Sequence, residues 1–222
     1  EEKRKTKEYL KRKGLSDKDV DVQTAVESEV TNINASNKQE SDAAKFGTDF
    51  HLMLQKIVDG KSESECKSGF KLIHTYGDEF VNNLYKQASD MVIQVKKKHP
   101  GAMFYAEKQF YSKAINPELQ KILKTIGNIK NINGKYDLIV IDKEGFVHIY
   151  DWKTSVYKFD EWNDNKLRDV KGQLGIYAAI LEQYGLKVGS INVGVFKTLS
   201  NKRDDGKTIY TAIESDGLHA LD

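Results

Sequence analysis

The chain has 222 residues, enough for one domain of ordinary size with at most an appended arm. Its 35 Lys and Arg nearly balance 33 Asp and Glu, a net of +2, which excludes a histone-like protein that coats a polyanion and an acidic solvating tail. A single cysteine, Cys66, excludes an internal disulfide and any Cys-rich zinc or iron–sulfur site. No apolar run reaches the roughly 18 residues of a membrane span, and no apolar segment follows the charged N-terminus as in a signal peptide. No membrane partner is therefore expected, and the expected location is intracellular, in the cytoplasm. A first residue of Glu rather than Met points to a processed form or a piece of a longer chain.

Residues 1–44 are polar, with a basic cluster between Lys3 and Lys13 and a Ser/Asn/Asp/Glu-rich stretch from Ser28 to Asp42. They are expected to form an arm and linker, and residues 45–222 the folded domain. Phe46, Phe50, Leu54, Ile57 and Val58 recur at helical spacing from Lys45 to Asp59. A second helix is predicted from Tyr76 to Lys98, ended by Pro100 and Gly101. Met103 to Tyr111 alternates and is rich in aromatics, which predicts a strand. Pro117 to Thr125 reads as a short helix. Lys135–Ile141 and Phe146–Trp152 read as two strands of a hairpin turned at Asp142–Gly145. Leu167 to Tyr184 is predicted helical, and Val188–Thr198 and Thr208–Ile213 close the chain as strands. This order predicts an α/β domain with a small mixed sheet flanked by helices, not a doubly wound one.

The hairpin carries the chemistry. Asp137 and Asp151 fall at near-facing positions of its two strands, and Lys153, two residues on, shares the face of Asp151. Two facing carboxylates repel each other, and a hard divalent cation such as Mg²⁺ or Mn²⁺ relieves that cost. An ammonium beside them can orient an attacking water. An isolated Asp-x-Lys is ordinarily a solvated ion pair, so the weight rests on its company. On the first helix Gly47 and His51 lie four apart, and the glycine leaves room beside the imidazole. Glu107 alternates with Tyr105 and Gln109 on its strand, where a carboxylate is either solvated or turned to the site. Gln173 and Tyr177 also lie four apart on a helix, as neutral donors for phosphate or as ordinary surface residues. His74, His99, His148 and His219 lack such partners and read as structural. Trp152, Tyr157, Phe159 and Trp162 either stack on bases or belong to the core.

These elements resemble the PD-(D/E)XK nuclease superfamily, and within it the RecB-like nucleases. Gly47-Thr48-Asp49-Phe50-His51 is similar to the G-x-x-x-H helix, and Gly134-Lys135-Tyr136-Asp137 to G-x-h-D, where h is hydrophobic. Asp151-Trp152-Lys153-Thr154 is similar to D-h-K-T, and Gln173-Leu174-Gly175-Ile176-Tyr177 to Q-x-x-x-Y. The resemblance implies a restriction-endonuclease-like core holding one or two Mg²⁺ or Mn²⁺ ions. His51, Asp137, Asp151 and Glu107 are the implied ligands, and Asp137, Asp151, Lys153 and Glu107 the implied catalytic set. Gln173, Tyr177, Lys108, Lys135 and Thr154 are the candidate substrate contacts. The implied activity is hydrolysis of DNA at ends or in single strands, as an exonuclease. The competing expectation is an inactive nuclease-fold module that binds nucleic acid or scaffolds a larger protein. Cys66 alone cannot build the iron–sulfur cluster of some RecB-like enzymes. No P-loop is present, so a helicase motor would lie in a longer polypeptide or a recombination partner.

The net charge hides a polarity. From Gln94 to Lys135 nine lysines face two acids, a local +7, whereas from Gly14 to Glu65 five lysines face eleven acids, a local −6. The basic stretch brackets Glu107 and runs up to Asp137, where a phosphate backbone would approach.

Overall fold

The computed structural model describes residues 44–70, 73–112, 132–202 and 208–221. The expected N-terminal arm and the expected helix at Pro117–Thr125 lie outside the described residues, as do residues 113–131 of the lysine-rich stretch before Asp137.

Helix α1 covers residues 44–58, and a short α2 (Glu63–Ser68), absent from the sequence reading, follows. Ser62 and Glu65 cap α2 reciprocally, the Ser62 hydroxyl accepting from the Glu65 N–H and the Glu65 carboxylate from the Ser62 N–H. Helix α3 (Ile73–Lys98) is broken at Gly77, whose φ of 79° and ψ of 164° are not helical. Its continuous part therefore starts close to the expected Tyr76. Strands β1 (Met103–Ser112), β2 (Ile132–Ile141) and β3 (Phe146–Ser155) follow. A 3-10 turn (Phe159–Glu161) leads to helix α4 (Asp164–Gln183), and β4 (Lys187–Lys202) and β5 (Thr208–Leu221) end the fold.

The five strands form one sheet in chain order. Neighbours are antiparallel except β3 and β4, which are parallel and joined by the α4 crossover. The α/β mixed sheet flanked by helices is thus as the sequence predicts.

Each face of the sheet buries one apolar layer. Leu138, Val140, Tyr150, Trp152 and Phe196 pack with Phe46, Phe50 and Leu54 of α1 and Leu84 and Met91 of α3. On the opposite face Ile139, Val147, Ile149, Val193 and Val195 pack with Val170, Leu174 and Leu181 of α4. Trp152, only 2% exposed, is a core residue and is unavailable for base stacking.

The alternation expected of a strand fails at one point in each of β1 and β2. Leu138 packs on the α1/α3 layer, yet Tyr136, two residues earlier, packs on the α4 layer. Ala106 likewise packs on the α1/α3 layer, and Phe110, four residues on, on the α4 layer. The switches face each other, because the register pairs Ala106 with Leu138 and Lys108 with Tyr136. Between those pairs stand Glu107 and Asp137. Glu107 takes a left-handed φ of 54°, which supplies the switch on β1.

Gly194 pairs with Trp152 across β3 and β4, and a Cβ there would stand 2.5 Å from the indole. Gly194→Ala is therefore expected to overpack the core and cost about 1–3 kcal/mol, read as a lowered urea midpoint with unchanged slope. An unchanged midpoint would show that the indole has room to move.

Candidate metal and nuclease centre

The centre forms where β2 and β3 part. Their ladder ends at the pair Leu138–Tyr150, one step before Asp137 would face Asp151. The Asp137 side chain occupies the gap, and its Oδ2 accepts the Trp152 backbone N–H at 2.8 Å. A carboxylate thus takes the place of a ladder carbonyl, and the charge is held at the sheet interior.

Glu107 approaches from β1 and His51 from α1. His51 Nδ1 lies 3.3 Å from Asp137 Oδ1 and 3.7 Å from Glu107 Oε1. The donor atoms of His51, Glu107 and Asp137 all fall within 4.8 Å of one another. A Cβ on Gly47, one turn before His51 on α1, would meet no atom within 4 Å, so the space there is open. Lys135, on β2, forms an ion pair with Glu107. Asp151 stands beside this trio rather than within it. Lys153 Nζ lies 2.8 Å from its Oδ2, but that oxygen makes no well-directed hydrogen bond among the described residues.

The electrostatics follow from crowding charges in a poorly hydrated place. Burial raises the Asp137 carboxyl, but the His51 ring and the Trp152 N–H more than offset it and hold it below its ordinary range. Glu107 is likewise raised by burial and drawn below its ordinary range by His51 and Lys135. Asp151 goes the other way: burial and the nearby Asp137 charge raise it, and Lys153 only partly counters them. Burial lowers His51, yet hydrogen bonds and charge from Asp137 and Glu107 push it up to about 9.

The donor set fits a hard divalent cation. It offers one imidazole and two carboxylates, with the Asp151 oxygen that lacks a directed donor beside them. The His51–Glu107–Asp137 atoms, all within 4.8 Å of one another, are spaced on the scale of the roughly 4.2 Å between opposite ligands of an octahedral ion with bonds near 2.1 Å.

The remaining candidates divide. Gln173 and Tyr177 do share a face of α4, and Gln173 Nε2 donates to Tyr177 Oη at 3.2 Å. Tyr177 packs edge-on against Tyr136 and Phe110, and its backbone carbonyl accepts the Tyr136 hydroxyl at 3.0 Å. A Cβ on Gly134 would come within 2.5 Å of Phe110 and 3.0 Å of Tyr177 Oη. The glycine of G-x-h-D thus lets α4 close over the residues just before Asp137. Lys108 is exposed, with its ammonium 5.6 Å from the Tyr105 ring centre rather than in the cluster. Thr154 lines a cavity beyond Lys153.

Histidines without a motif are structural where described. His148 bonds Asp142 and Ser190 at 2.9 Å each and lies ring to ring with His99, which bonds Tyr150 at 2.7 Å. His219 stacks on Phe159 and pairs with Asp216. The His74 side chain lies outside the described residues. The sequence reading missed Lys166 on α4, which stands over Trp162 and feels the charge of Lys153. Its only sequence mark was a lysine three residues after the helix-capping Asn163.

A family model of the PD-(D/E)XK nuclease superfamily matches residues 27–220, beginning inside the stretch expected to be an arm. Comparison with curated proteins gives no match. Among the described residues no helix is long and apolar enough to cross a membrane. The match spans most of the chain, and the mixed sheet with its parted strands carries the motif residues in the family's order; the chain belongs to the PD-(D/E)XK nuclease superfamily.

Proposed function

We propose that this protein is a Mg²⁺- or Mn²⁺-dependent deoxyribonuclease in which Asp137, Asp151, Glu107 and His51 hold the ion and Lys153 serves the attacking water. The observation that carries this reading is the Asp137 carboxylate, tied to the Trp152 N–H between parting strands with Glu107, His51 and the Lys153-paired Asp151 around it. A bound ion would supply a water of lowered pKa and offset charge on the pentacoordinate phosphorus. The Trp152 N–H fixes one oxygen of Asp137 and leaves the other directed at His51. Asp151 positions Lys153 by charge, so the ammonium can orient the nucleophile and meet the developing negative charge. Lys135 balances Glu107 and, being half exposed, can also receive a phosphate. The likeness of the motifs to RecB-like nucleases favours DNA as substrate and exonucleolytic attack at ends or single strands, with the chain operating inside a larger polypeptide or beside a helicase or recombination partner.

Asp151→Ala and Lys153→Ala are expected to lower metal-dependent cleavage of labelled single- and double-stranded DNA by about 100- to 1000-fold. Equal activity in wild type and variants would remove these residues from the site. The product ladder from free-ended oligonucleotides should be absent when both ends are blocked; internal cuts in blocked substrate would make the enzyme an endonuclease.

Metal binding should compete with a proton. In the metal-free protein His51 titrates near 9 instead of 6.5, so at neutral pH an ion must displace its proton. Apparent Mn²⁺ affinity should therefore rise with pH by about tenfold per unit between 6.5 and 9, with one proton released per ion, measured by calorimetry in buffers of differing ionisation heat. The same raised pKa stabilises the metal-free fold fully below 6.5, and that contribution is lost as pH rises through 9. A His51→Gln protein with an unchanged slope would refute the assignment.

Glu107 occupies a left-handed backbone conformation that costs a non-glycine residue about 1 kcal/mol or more. Asn tolerates it better, which offsets the lost pairing with His51 and Lys135, so Glu107→Asn should leave the melting temperature in EDTA nearly unchanged while reducing cleavage. A marked loss of stability would show Glu107 to be chiefly structural.

A further inference from the structure

A cavity of about 450 Å³ opens at the C-terminal ends of the parallel strands β3 and β4, immediately beyond Lys153. Thr154, Ser155, Trp162, Lys166, Thr198 and Tyr210 contribute to its lining, and Tyr157, 58% exposed, stands on its wall near solvent. Its volume lies within the range of small-ligand sites.

Two side chains of the lining are incompletely compensated. Trp162 is only 8% exposed, and its indole Nε1 has no hydrogen-bond partner among the described residues. A buried N–H left unpaired costs about 1–3 kcal/mol. The second feature is Lys166. Its ammonium donates to Ser155 Oγ at 2.8 Å and sits 4.2 Å from the Trp162 ring centre, and among the described residues it has no carboxylate partner. Partial burial, together with the charge of Lys153, draws its pKa below the usual lysine value, and the Asp151 carboxylate is paired with Lys153. Glu161, the one acid on the lining, already accepts the Lys158 backbone N–H at 2.8 Å. An anion in this cavity would meet the Lys166 ammonium, which lacks a carboxylate partner among the described residues.

The cavity's position specifies which anion. Lys153 and Ser155 lie on one face of β3, about 7 Å apart at the usual strand rise. That is comparable to one step along the phosphates of an extended nucleic-acid strand. We propose that the cavity holds one nucleotide of the substrate strand, next to the one attacked. Its phosphate lies on Lys166 Nζ with the hydroxyls of Thr154 and Ser155, and the base lies along Tyr157 and Tyr210. This deepens the nuclease reading of the adjoining centre and rests on it for the strand's path, but not for binding itself.

The test uses the whole chain in EDTA, so that binding is read without cleavage. Trp162 is one of two tryptophans, and the other, Trp152, is in the core, so tryptophan fluorescence reports on the cavity. Titration with a thymidine tetranucleotide should give saturable quenching, absent in Trp162→Phe. Lys166→Ala should weaken binding at least tenfold, lower the slope of log affinity against log salt by about 0.7, and raise KM for cleavage with little change in kcat. Lys166→Arg should restore most of the affinity, which a folding defect would not permit. No quenching in wild type, an unchanged salt slope in Lys166→Ala, or inorganic phosphate binding as tightly as the tetranucleotide would each overturn the subsite. A protein that binds through Lys166 yet cleaves nothing with Mn²⁺ would overturn the nuclease reading alone.

Discussion

The bond from the Trp152 N–H to the Asp137 carboxylate organises the centre. A backbone donor inside a sheet must find a partner, and at Trp152 the ladder with β2 has already ended. The acceptor is supplied by a side chain, which closes the hydrogen-bond account while opening the sheet. The strands separate, and in the gap a carboxylate gives one oxygen to the Trp152 N–H and turns the other to His51. His51 from α1 and Glu107 from β1 gather around that second oxygen, with Asp151, one residue before the donor, beside them.

Such an arrangement concentrates like charges where water is scarce, and the compensation is local. His51 and Lys135 hold Glu107 ionised, His51 and the Trp152 N–H do so for Asp137, and Lys153 partly does so for Asp151. The neutralising groups come from three different elements, so the metal-free centre is a balanced cluster rather than a bare acidic hole. A divalent ion entering it would take over the work of the His51 proton, which explains why a strongly raised imidazole is compatible with a ligand role. The left-handed Glu107 belongs to the same logic, because the two adjoining strands both exchange faces at that level.

Much of this was legible in the residues. Asp137, Asp151 and Lys153 could be placed because a hairpin with an obvious turn fixes cross-strand neighbours, and side chains alternate with a period of two. The helical stripes of α1, α3 and α4 marked the layers for a similar reason, since apolar spacing follows directly from helix geometry. Where regular periods broke, the reading failed. Gly77 interrupts α3 through a backbone angle that no spacing records, and Glu107 departs from alternation in the same way. Trp152 and Tyr157 looked alike among the aromatics after Asp151, but one is core and the other surface, because only the packing of β4 against β3 distinguishes them.

By itself, then, the sequence determined the family, the mixed α/β architecture and the identity of the acidic and basic groups, because these depend on local period and on motifs along the chain. The tertiary structure decided which of those groups meet. Glu107 joins His51 and Asp137 although 56 and 30 residues separate it from them in the chain, whereas its neighbour Lys108 lies beside Tyr105. Asp151 is drawn toward Lys153 rather than into the trio, and Lys166 stands beside a cavity that no motif marks. The reason is physical: distances between charges are set by how strands part and helices dock, and these are properties of the packed core rather than of any segment within it.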